Sequence, residues 1–152
     1  MKNLLFIILT LLVISCKKNK KIHGIREFNN HLELSFIDTN DLDLLDHTNP
    51  SAYNRNTIKL YHLIDGEMKL ISFGAITTYT NGISFSCDRE LCTIAIVLSD
   101  TTFLELSNQI TDTIYREINE RNGYNYISKI WYNGELIYDP ENAGEKYFTI
   151  VK

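Results

Sequence analysis

From residue 31 onward, apolar and polar residues alternate with a period of two along most of the chain. His31-Leu32-Glu33-Leu34-Ser35-Phe36-Ile37 places Leu32, Leu34 and Phe36 on one side of a strand. Residues 58–63 are β-rich and end at Asp65-Gly66, a type I′ hairpin signal, because Gly accepts positive φ at no steric cost. Residues 68–73 return from that turn, 75–79 continue or restart the strand, and Asn81-Gly82 is a second such turn. Residues 83–87 alternate cleanly. Residues 92–98 (CTIAIVL) are nearly continuous in apolar character and are predicted to form a central strand buried on both faces. Strands are also predicted over 101–106, 124–132, 135–138 and 146–151, with Asn133-Gly134 as the third turn. Residues 112–118 fit both a helical and a strand spacing, and their Thr and Tyr tip them to strand.

Eight to ten short strands and three Asx-Gly turns predict an all-β domain, an antiparallel β-sandwich of immunoglobulin-like or transthyretin-like type. The inter-sheet Cys pair with Trp of antibody domains is absent. No repeat or change of composition marks a second domain. With 152 residues, 22% charged, 2 Pro and 7 Gly, the chain is neither disordered, collagen-like nor a coiled coil. Three Cys are too few for a disulfide-dense miniprotein. A formal charge of −4 argues against nucleic acid as a partner.

The first residues read as an address. Met1-Lys2-Asn3 precedes eleven uncharged residues, 4–14 (LLFIILTLLVI). Such a run rises about 16 Å as a helix, roughly half a hydrocarbon core, so it suits a signal-peptide apolar segment better than a membrane span. Val13-Ile14-Ser15-Cys16 then resembles the lipobox of bacterial lipoprotein precursors, with Val13 where Leu is commonest and a bulky Ile14. The resemblance implies cleavage after residue 15 and lipidation of Cys16. Residues 16–27 then form a basic linker and 28–152 the domain. Lys17 follows the Cys; the absence of Asp there implies the outer membrane, at its periplasmic or surface face. Lys17, Lys18, Lys20 and Lys21 attract anionic headgroups or simply solvate a linker. Beyond residue 21 the chain carries ten Lys and Arg against nineteen Asp and Glu, a balance of −9. This acidic body is repelled from an anionic surface.

Residues 38–57 show no strand pattern, and twenty residues is long for a plain loop. Asp-Leu-Leu-Asp, Asn-Pro-Ser-Ala-Tyr and the following Ile-Lys-Leu-Tyr resemble a segment near the start of small uncharacterised all-β lipoproteins of Gram-negative bacteria. Asp38, Asn40, Asp41, Asp43 and Asp46 supply oxygen donors for a weak calcium site, yet the sharp-turn Gly of an EF-hand loop is missing; Asx turns are the other reading. With Cys16 lipidated, Cys87 and Cys92 remain, facing each other at the mouth of a four-residue loop. They form a disulfide or two buried thiols; their spacing is not that of a Cys-x-x-Cys redox pair. His23, His31, His47 and His62 show no metal spacing, although His31 and His62 meet if their strands are neighbours. Tyr124, Tyr126 and Tyr132 are expected on one strand face with Trp131 on the other, either a ligand platform for sugar rings or plain sheet packing.

No nucleophile elbow, phosphate loop or dinucleotide fingerprint is present. The expectation is a lipid-anchored envelope lipoprotein without catalytic residues. Its only covalent adjunct is the lipid on Cys16, and its partners are the membrane and a protein or glycan. The alternative is an inhibitor or immunity lipoprotein acting on a cationic hydrolase, since opposite potential speeds docking.

Overall fold

The computed structural model describes residues 30–71, 82–87, 90–140 and 147–152. The apolar run, the lipobox and the basic linker lie outside these residues, as do the strand expected over 75–79 and Asn81 of the second turn. Among the described residues there is no helix. Ten strands form two packed sheets: β1 His31–Ile37, β2 Lys59–Ile64, β3 Glu67–Ile71, β4 Ile83–Ser86, β5 Thr93–Val97, β6 Thr101–Ser107, β7 Ile110–Arg121, β8 Tyr124–Tyr132, β9 Glu135–Tyr138 and β10 Tyr147–Val151. One sheet has the order β10-β1-β5-β4, the other β3-β2-β6-β7-β8-β9. The protein is an all-β sandwich, as the alternation predicts.

Turn chemistry sets the hairpins. Asp65-Gly66, Asn122-Gly123 and Asn133-Gly134 each have positive φ at both residues, the type I′ geometry whose twist matches antiparallel strands. Asn122-Gly123 closes β7 onto β8, with Arg121 opposite Tyr124. It is a fourth Asx-Gly turn, which the sequence pattern had not singled out because its flanking residues are polar.

The inner faces interdigitate. Leu32, Leu34 and Phe36 of β1 and Ile94 and Ile96 of β5 meet Leu60, Leu104, Leu106, Ile114 and Ile130 of the larger sheet, all fully buried. Each such side chain contributes roughly 1.5–3 kcal/mol relative to exposure. β5 is central in its sheet, but only its Ile94-Ile96 face is closed off. Ala95 and Val97 on the other face are half-buried, which corrects the expectation of burial on both sides. Among the described residues no helix packs over the outside of this sheet as a crossover helix would.

One pairing departs from the antiparallel expectation. β10 runs parallel to β1, with Ser35 opposite Thr149 and their hydroxyls 2.9 Å apart. The chain leaves the larger sheet at β9 and crosses to the edge of the smaller one, and the direction of that crossing fixes a parallel partner.

β7 spans 12 residues against 7 for β6, so the β7–β8 hairpin overhangs the sandwich. It overhangs at the end where the chain joins β1: Asn30 bonds Leu98, and the β7 amide of Arg116 donates to the Asp100 carbonyl. This is termed the near end. Residues 38–57, the Cys87–Cys92 hairpin and the β6–β7 turn gather at the far end.

Candidate functional site

The long loop at the far end is built from side chains that mimic backbone turns. Asp38 Oδ1 accepts from the amides of Asn40 and Leu42 at 2.8 and 2.9 Å. Asp43 Oδ1 accepts from Leu45, Asp46 Oδ1 from Thr48, and Asn49 Oδ1 from Ser51. The amide bonds, Leu42 foremost for Asp38 and Thr48 for Asp46, hold both carboxyls below the usual carboxylate range. Leu44, Leu45 and Ile58 anchor the loop in the core, and Tyr53 meets Phe36 edge-on at 6.2 Å. Three of the calcium candidates, Asp38, Asp43 and Asp46, are thus engaged with local amides. Among the described residues no group of three or more His, Cys, Asp or Glu side chains is placed to hold a metal ion.

Cys87 and Cys92 form a disulfide, one step beyond the last β4–β5 pair, Ser86 with Thr93, with Cα atoms 4.1 Å apart. The loop is fastened to it. Asp43 Oδ2 accepts the Cys92 amide at 2.6 Å, while the Arg55 guanidinium donates to the Leu45 carbonyl, contacts Cys87 Sγ at 2.9 Å and lies over Phe85. Asp43 is thus a clamp between loop and hairpin; of the loop's other acids, Asp41 is exposed at the far end and Asp38 and Asp46 are half-buried there.

The aromatic row is arranged differently from the alternation. Glu117 pairs with Lys129 but Ile118 with Ile127, so Ser128 is an extra residue, a β-bulge. Its hydroxyl bonds the Glu117 side chain at 3.0 Å. The bulge reverses the facing of everything before it. Tyr124 and Tyr126 are exposed on the outer face together with Trp131, whereas Tyr132 turns inward and is 5% exposed. The expected grouping of Tyr132 with Tyr124 and Tyr126, and of Trp131 against them, is corrected accordingly.

Tyr132 belongs to a buried polar cluster. Asp112, 3% exposed, accepts from Tyr132 Oη at 2.5 Å, Asn133 Nδ2 at 2.7 Å and Lys152 Nζ at 2.5 Å. Burial first, and the Asp112 carboxylate second, push the Tyr132 hydroxyl well above its ordinary value. Alternation hides this cluster, because a lone Asp in a strand reads as a solvent-facing residue.

On the outer face of the larger sheet, apolar side chains run from edge to edge. Met68 is opposite Leu63, Leu70 opposite Tyr61, Tyr61 opposite Phe103, Tyr115 opposite Trp131, and Trp131 opposite Leu136. Tyr115 and Trp131 stack with centroids 5.2 Å apart, and Lys129 Nζ lies 5.9 Å above the indole. Lys59–Glu105, an ion pair at 2.7 Å, borders the band on one side, and Glu117 opposite Lys129 borders it on the other. An apolar centre with a charge-balanced rim is the anatomy of an interface. Chemically it offers contact area and stacking. Compared with protein-family models, curated proteins and solved structures, the chain matches none. The site therefore stands on its own geometry.

The histidines are dispersed. His23 lies outside the described residues, His47 is exposed beside Asp46, and His31 and His62 lie in different sheets. The expected meeting across neighbouring strands does not occur. The His62 ring bonds the Val97 carbonyl at 2.9 Å, joining the two sheets as a donor from Nε2. Burial first, and the charge of Arg116, lower its pKa, against the opposing pull of the Val97 carbonyl. The unfolded chain therefore binds a proton more readily than the folded one. Stability is complete above about pH 6.5 and falls as pH drops toward the depressed folded value. Denaturant midpoints measured between about pH 7.5 and 5 are expected to decline, and His62→Gln to flatten that decline. Carboxylates held low by their partners, Glu105 with Lys59 among them, act only at more acid pH. An identical slope in both proteins refutes the assignment.

Proposed function

We propose that the protein is a lipid-anchored envelope lipoprotein that presents a non-enzymatic β-sandwich as a binding module. The observation that carries this reading is Val13-Ile14-Ser15-Cys16 directly behind an uncharged apolar run. The Cys87–Cys92 disulfide supports it, since such bonds persist in oxidising compartments outside the cytosol. It also leaves Cys16 as the one cysteine available for a lipid. Two or three acyl chains, at about 0.8 kcal/mol per buried CH₂, hold a chain on a bilayer almost permanently.

A second reading concerns the far end. Asp41 is exposed and Asp38 and Asp46 are half-buried on a loop fixed by its own Asx turns, so a cationic protein meets a preorganised acidic surface without an ordering cost. This favours an inhibitor or immunity role against a basic hydrolase over a sugar-binding one.

Metabolic labelling with a clickable palmitate analogue tests the anchor. The wild type is expected to label and fractionate with membranes, and Cys16→Ser to lose both. Equal labelling of the two ends the reading. Charge reversal of Asp38, Asp41 and Asp46 to Lys, read by pull-down from envelope extracts, tests the second: recovery of a basic hydrolase by the wild type alone supports it, and equal recovery removes it.

A further inference from the structure

Exposed large apolar side chains are distributed unevenly. Eleven are exposed among the described residues, and eight of them sit on the near half of the larger sheet or on its overhanging hairpin. Leu63, Ile64 and Met68 flank the β2–β3 turn; Tyr115 and Leu136 are opposite Trp131, and Tyr126 lies farther out on the overhanging hairpin, opposite Asn119. The exposed Asp41 and the half-buried Asp38 and Asp46 lie at the opposite end. The molecule is thus polar along its strand axis, apolar and aromatic at one end and acidic at the other.

The near end is also where the N-terminal segment joins the sandwich, through Asn30 on Leu98. Asn30 lies fourteen Cα–Cα steps from Cys16, a reach of at most about 50 Å. We propose that the near-end patch rests on the lipid bilayer itself, at headgroup depth, with the acidic loop pointing away. The proposal builds on the Cys16 anchor of the preceding subsection and adds an orientation to it. Tyr and Trp are the side chains that settle at membrane interfaces, having an apolar body and a polar tip. Glu117 opposite Lys129, and Arg116 with Asp100, balance much of the local charge, so contact does not depend on anionic lipid. Asp65 on the β2–β3 turn and Glu120 near the end of β7 keep the patch from the hydrocarbon core. The −9 of the body does not oppose this placement, because much of that charge is carried at the end farthest from the lipid.

Trp131 is the chain's one tryptophan and therefore reports on the patch alone. The full lipidated chain is reconstituted into phosphatidylcholine vesicles with plain or brominated acyl chains, and vesicle flotation is scored alongside fluorescence. The expected result is a blue shift of Trp131 emission and a loss of intensity with brominated lipid, both insensitive to salt. Replacing exposed Leu63, Met68 and Leu136 by Ser is expected to abolish the loss while flotation persists; their exposure leaves the fold intact. A wild-type chain that floats with unquenched Trp131 overturns the orientation and leaves the anchor standing. A chain that does not float overturns both. A blue shift that rises with protein density, without bromine quenching, assigns the patch to a second copy and also overturns the proposal.

Discussion

Asp112→Ala is expected to destabilise the fold by about 3–5 kcal/mol, the usual cost of stripping one partner from a buried ion pair. Asp112 holds Lys152, Tyr132 and Asn133 at once, and the Lys152 side chain is 17% exposed. Without the carboxylate, the ammonium keeps only the faces of Phe36 and Tyr132, at 5.9 and 5.3 Å. A cation over an aromatic ring recovers about 0.5–2 kcal/mol, less than the loss. The pair itself is a different matter. Removing both charges with Asp112→Leu and Lys152→Met is expected to restore most of the stability, because each ion's desolvation cost disappears together with the attraction. Denaturant unfolding of the two singles and the double reads the cycle. An Asp112→Ala loss below about 1 kcal/mol would show that the ion pair does not form in solution. If the single variant cannot be purified, the double still decides, since it must fold.

Gly82→Ala is expected to cost about 2–5 kcal/mol. Two effects add: about 1–2 for a left-handed backbone at a residue with a Cβ, and about 1–3 for overpacking. Gly82 has φ +87°, and a Cβ there would lie 2.7 Å from Ile71 Cγ2 and 3.1 Å from Leu60 Cδ2. Its carbonyl meanwhile accepts the Val97 amide at 2.8 Å, so the backbone cannot simply back away. Gly66 and Gly123 are the controls. Their φ values are +80° and +78°, but nothing lies within 4 Å of an added Cβ. Alanine at either should cost only the conformational part, about 1–2 kcal/mol. Equal losses at all three sites would show that Gly82 is not pressed against β2 and β3.

The strands were legible because a half-buried strand repeats every two residues and Asx-Gly needs left-handed φ. β1, β6, β8 and β9 fall where alternation puts them. Their partners were less legible. Nothing in 147–151 announces a parallel neighbour more than a hundred residues earlier, since pairing direction is set by the path between sheets. Ser128 is invisible for a different reason. A bulge adds a residue without changing composition, and it moved Tyr132 into the core and Trp131 onto the outer face. Asp112 and Arg55 were missed because long-range partners, Lys152 for one and the Cys87–Cys92 bond for the other, give them their roles. Asx turns were one of two readings of the acidic run 38–46, and the amides that Asp38, Asp43 and Asp46 accept are of that kind.

The β1–β10 pair has a consequence for how the molecule is made. Ser35 and Thr149 are 114 residues apart, and between them lie all the strands of the larger sheet. A chain synthesised from its N-terminus must hold β1 with one ladder edge vacant until β10 has emerged. Contacts of such separation are reached slowly, and a vacant edge is a template for another chain. Aggregation is therefore expected of truncated or stalled products lacking β10.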